Sequence, residues 1–142
     1  MIGLEYIQLA YYQSIISKAQ GELDTLTAEM NVYKKELEKC NQLKPILIKI
    51  EENAMSVYRS LQTAGNSLNN GIKINGVGQG NKILDRAKIL SDLNAKSSLA
   101  KGNVEKRIRE LEEQVETLQN RINSLENTIQ SNQAKIYNIK KK

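Results

Sequence analysis

The sequence predicts an all-α protein, an elongated antiparallel helical hairpin with coiled-coil packing, kinked near Pro45 and closed by a Gly-rich tip. Three observations point there. Apolar residues recur in steps of three and four toward both ends of the chain, glycine and asparagine concentrate at one place in its middle, and aromatic residues are scarce. With six Tyr, no Trp and no Phe in 142 residues, the chain cannot build the aromatic-rich core of an ordinary globule. A charged content of 26% beside 39% hydrophobic residues suits helices that each bury one stripe and solvate the rest.

The first arm carries Ile2, Leu9, Tyr12, Ile16, Ala19, Leu23, Leu26, Met30, Tyr33, Leu37 and Cys40 on one heptad seam, with Glu5 out of character. Pro45 lacks the amide of the helical ladder and restricts the residue before it, which predicts a break near Leu43–Lys44 and a second helix from about residue 45. That helix shows a seam of Leu47, Ile50, Ala54, Val57, Leu61, Ala64 and Leu68, one position out of phase with the first.

Between Ser67 and Asn81 the run SLNNGIKINGVGQGN places four glycines among four asparagines, which predicts the turn. Ile72, Ile74 and Val77 alternate with polar residues there and make a candidate contact point at the tip. The spacing is not that of a phosphate loop, since no GK[ST] follows and no strand precedes the G-V-G-Q-G run.

Helix is expected to resume after Asn81, a candidate cap, through Ile83, Ala87, Leu90 and Leu93, and to weaken over Asn94–Asn103, where Ser97, Lys101 and Gly102 spoil the stripe. Gly102 and Asn103 have the residue types of a C-cap followed by an N-cap, so a break there is an alternative to a continuous helix. The clearest pattern follows: Val104, Ile108, Leu111, Val115, Leu118, Ile122, Leu125, Ile129, Asn132, Ile136 and Ile139. With Ile108 at position a, this is close to the residue mix of two-stranded packing, and Asn132 at d gives up stability to fix register. The expected organisation is one hairpin domain, with a first arm over 1–68, a tip over 69–81, a second arm over 82–139 and a basic tail at 140–142.

Little in the chain resembles catalytic chemistry. It has no His and a single Cys, so the usual zinc sets, His-activated nucleophiles and internal disulfides are unavailable, and no catalytic residue, metal or cofactor is implied. Cys40 reads as a small hydrophobe on the seam. The acidic residues Glu105, Glu110, Glu112, Glu113 and Glu116 alternate with Lys106, Arg107 and Arg109, the pattern of a solvated helix face. Tyr6, Tyr11 and Tyr12 read as a packing belt or as a partner contact.

The net charge of +5 lies wholly in the second half: residues 1–71 carry 7 basic and 8 acidic groups, residues 72–142 carry 14 and 8. Lys135, Lys140, Lys141 and Lys142 supply much of the excess and fit a helix C-terminus better than a nucleic-acid site. The start, Met-Ile-Gly-Leu-Glu, has no basic n-region, and no apolar run reaches a membrane span. These features predict a cytoplasmic protein, exported if at all with its partner and without a cleaved signal peptide.

A two-helix hairpin buries little core, so partners are expected. In a parallel homodimer Arg107 would face Glu112 of a second copy, and Arg121 would face Glu126, both attractive. On this reading the e and g charges of residues 104–139 serve a second chain. Leu9, Ile16, Leu23, Leu26, Met30 and Leu37 in the first arm and Leu111, Leu118, Ile122, Leu125 and Ile129 in the second are the candidate partner-binding residues. Sequence alone does not divide them between intrachain and interchain surfaces.

The order of helix, turn with an N-G step (Asn75-Gly76 in SLNNGIKINGVGQGNKI) and long helix ending in VEKRIRELEEQVETLQNRINSLENTI resembles a known family. It is similar to the small helical partner proteins of LXG-domain toxins of the Gram-positive type VII (ESX-like) secretion system, relatives in shape of the WXG-type hairpins. The likeness covers most of the chain in order of elements. It implies a targeting factor or chaperone that binds the helical N-terminal domain of the toxin, with a second small helical protein in the complex. Two motifs depart from the pattern. The turn lacks the Trp of a WXG step, and no Tyr is followed four residues later by Asp or Glu, so the export signal would come from another member of the complex.

Overall fold

A computed structural model describes residues 2–71 and 77–141, with the side chains of 3–70 and 80–141. Two helices account for all of them: α1, Ile2–Gly71, and α2, Val77–Lys141. They pack as an antiparallel pair, because contacting residues grow farther apart in sequence with distance from the turn: 12 positions for Asn69–Asn81, 43 for Glu51–Asn94 and 99 for Glu22–Arg121. The all-α hairpin expected from the heptads is therefore the fold.

Two local expectations are corrected. Helix α1 passes through Pro45 without the break expected near Leu43–Lys44. Pro45 and Asn41 are both exposed, so the Asn41 carbonyl, which loses its amide donor, can bond to water, and a long helix packed on its sister tolerates the loss. Of the two alternatives at Gly102 the continuous helix holds: α2 runs through it, and a Cβ added there would meet nothing within 4 Å. At the tip both helices reach farther than the glycines suggest: Asn69–Gly71 end α1, Val77 opens α2, and Asn81 lies inside α2 instead of capping it. Ile72 and Ile74 lie outside the described residues, as does the side chain of Val77. Lys140 and Lys141 form the last turn of α2.

The unbroken helix also corrects the seam. From Leu9 to Leu68 one heptad phase persists, with Lys44, Leu47, Glu51, Ala54, Tyr58, Leu61, Gly65 and Leu68 turned toward α2. Ile50, Val57 and Ala64, expected on the seam, are exposed. A helix without a break keeps its phase, and the polar a residues are matched across it: Lys44 pairs with Glu105 at 3.6 Å and Glu51 with Lys101 at 3.1 Å. In α2 the seam continues through the stretch expected to be weak, with Asn94 half-buried, Ser97 buried and Lys101 half-buried, while Leu93 points outward.

Contacts divide the chain into two compact units: Met1–Leu37 with Glu110–Lys142, and Glu38–Arg109. The core of the first is a set of large aliphatic side chains, in which Leu125 and Ile129 pack on Ala19, flanked by Ile16, Leu23 and Leu26. In the second, most of the buried positions among the described residues hold small residues: Ala54, Gly65, Gly80, Ala87 and Ser97, with Ile108 the one large aliphatic side chain among them. Small residues let the two backbones come close. A Cβ at Gly65 would stand 2.8 Å from Leu84 Cγ, and one at Gly80 would stand 2.8 Å from the Gly65 carbonyl oxygen.

Candidate interaction surface

In α2 the a residues include Gly80, Ala87, Asn94, Lys101, Ile108 and Val115, and in α1 they include Lys44, Glu51 and Tyr58. The d residues lie three positions on, and g immediately precedes a. In an antiparallel pair g faces g on one edge and e faces e on the other. Glu22 and Arg121 show this directly, both at g, with guanidinium nitrogens 3.0 and 3.1 Å from the two carboxylate oxygens. Arg121 is therefore engaged by its own first arm. Glu105 is engaged by Lys44 in the same way.

The eleven seam residues proposed from sequence fall on the surface between the arms. Met30, Leu111, Ile122, Leu125 and Ile129 are buried, and Leu9, Ile16, Leu23, Leu26, Leu37 and Leu118 are half-buried. Only one chain is present, so its own second arm supplies that burial; Leu111 is 0% exposed. Asn132 is buried at d and donates from Nδ2 to the Thr128 carbonyl at 2.7 Å, leaving Oδ1 without a hydrogen-bond partner among the described residues. Cys40 is half-buried on the seam.

The tyrosines divide. Tyr12 lies on the seam, where Lys135 Nζ sits 5.3 Å from its ring centroid, while Tyr6 and Tyr11 are exposed, Tyr11 edge-on to Tyr12 at 5.4 Å. Sequence reading missed a larger feature. Outside the seam Leu43, Ile46, Ile50 and Val57 of α1 and Ile89 and Leu93 of α2 are exposed, all within the Glu38–Arg109 unit. Their spacing of three, four and seven along α1 was visible, but Ile50 and Val57 had been assigned to the seam.

Among the described residues no group of His, Cys, Asp or Glu is placed to hold a metal ion, and no helix is long and apolar enough to cross a membrane. Two matched helices with a continuous heptad seam define a coiled-coil hairpin, a class that works through helix-to-helix contact. Residues 77–139, which are α2, match the family of the C-terminal leucine zipper domain of cyclic nucleotide-gated channels. The match covers less than half of the chain and is a likeness of zipper pattern. No curated protein matches the chain. No solved structure matches it either.

Proposed function

We propose that this chain is a non-catalytic helical adaptor that binds the helical N-terminal domain of a type VII-secreted LXG-type toxin and helps target it for export. One observation carries the adaptor role: the hairpin fills its seam from its own two arms, yet large apolar side chains remain exposed at helical spacing beside that seam. Exposed apolar stripes of this kind mark interaction sites. The toxin as partner rests on the likeness in element order, and the zipper likeness of α2 supports helix-to-helix association more generally. Amphipathic helices of the toxin would cover the exposed stripes and build a larger bundle. The test is co-expression with an LXG-type toxin N-terminal domain from the same host. The two should co-elute in fixed proportion, and the complex should melt above either component; separate elution at micromolar concentration sinks the toxin reading.

A second reading, a homo-oligomeric structural coiled coil, is favoured by the zipper likeness alone. Light scattering on the purified chain separates the two, since a stable homo-oligomer indifferent to any helical partner would replace the adaptor.

A further inference from the structure

Six of the seven exposed large apolar residues of the Glu38–Arg109 unit share one edge, and Leu99, at f on α2, stands apart from it. Leu43, Ile50 and Val57 each precede an a residue of α1, and Leu93 precedes Asn94, an a residue of α2. Asn94 Nδ2 donates to the Glu51 carbonyl at 3.0 Å, so the residues one step before this contact, Ile50 and Leu93, lie together on the g edge. Ile46 and Ile89 stand three and four positions from them, one row farther out. All six are between 38% and 67% exposed. They amount to on the order of 500 Å² of apolar surface, the upper range for a patch on an isolated monomer.

The border of this face is basic. Lys39, Lys49, Lys82, Arg86 and Lys96 take the c, f and g positions around it, all exposed and none in an ion pair among the described residues. Asp85 and Asp92, at f on α2, are the acidic groups there outside the g residue Glu36. The opposite edge is different in kind, an open groove lined by Glu52, Met55, Arg59 and Ser60.

We propose that this face binds an acidic amphipathic helix of another protein, whose apolar stripe lies along Ile46, Ile50, Val57, Ile89 and Leu93 and whose flanking Asp and Glu residues meet the basic border. This rests on the adaptor reading and gives its partner a chemistry. The α1 stripe from Leu43 to Val57 takes a helix of about 15 residues. A second copy of the chain fits poorly, because it would set one lysine border against another.

The probe is a fluorescent peptide of about 20 residues with a Leu heptad stripe flanked by Glu, beside a version with Lys for Glu and a scrambled acidic one. Anisotropy with the full chain should show binding of the first alone, weakening as salt rises. Ile50→Ser with Leu93→Ser should raise Kd at least tenfold, and Arg86→Gln with Lys96→Gln several-fold. These side chains are exposed, so both variants should keep the helical signal and melting point. Equal binding of the scrambled peptide, no binding of the acidic one, or indifference to the Ser variant overturns the proposal. So does self-association of the wild-type chain that the Ser variant abolishes. A toxin domain that still co-elutes with the Ser variant leaves the adaptor standing and removes this face from it. Peptide binding without toxin co-elution keeps the face and removes the toxin.

Discussion

The two units of the hairpin bury side chains of different size along their seams. In the unit of Met1–Leu37 and Glu110–Lys142, the seam holds Met30, Leu111, Ile122, Leu125 and Ile129, and its g edge carries polar groups such as Glu22 and Arg121. In the Glu38–Arg109 unit, the buried seam positions are mostly alanine, glycine and serine beside Ile108; Leu47, Leu61, Leu68, Ile83, Leu90 and Val104 are half-buried there with Lys44, Glu51, Asn94 and Lys101, and Leu43, Ile46, Ile50, Val57, Ile89 and Leu93 stand outside. The first is organised to hold its arms together. The second holds its arms with half-buried aliphatic residues, close approach and ion pairs, and the ion pairs contribute less.

The sharpest way to break this comparison is to empty each seam. Leu111→Ala removes a side chain with no exposure and should cost about 3 kcal/mol in urea denaturation; a loss as small as that of an exposed leucine would show that the first unit is not the stabilising one. In the second unit the equivalent injury is to add volume. Gly80→Ala drives a methyl toward the Gly65 carbonyl and the Asn69 side chain and should destabilise by about 1–3 kcal/mol, read from the thermal melt. Asn132→Leu is expected to stabilise the first unit by about 1 kcal/mol, since an unpartnered carbonyl oxygen leaves the seam, while loosening its register. An unchanged or lowered melting point would mean that Oδ1 is satisfied in solution. Gly102→Ala, where a methyl meets nothing, should add roughly 0.5–1 kcal/mol of helix propensity. Arg121→Ala should cost only about 0.5 kcal/mol, because both partners are substantially exposed, and the difference should vanish in high salt.

Much of this was legible from residue order. The strict alternation from Val104 to Ile139 and its counterpart from Leu9 to Cys40 gave the helices, their seam and their antiparallel pairing, because heptad spacing leaves one stripe to bury. Three features misled. Pro45 carries a break signal that holds for a short isolated helix, but neighbouring turns packed on a sister arm offset the local loss. The glycines and asparagines near the tip marked the turn but not its limits, since helix reaches Gly71 on one side and starts at Val77 on the other. The exposed apolar stripe was the least visible, because Ile50 and Val57 look more like seam residues than Glu51 and Tyr58 do.

The sequence by itself determined the period of each helix and the existence of two arms that must cover each other, since spacing along a helix fixes which residues share a face. Only the tertiary structure decided which of two adjacent stripes in residues 43–68 turns inward. Neighbouring positions differ by about 100° around the axis, so both stripes satisfy the same periodicity. What selects between them is the sister arm: Lys101 and Asn94 meet Glu51, the small seam residues admit close contact, and Ile50, Val57 and Leu93 are left facing out.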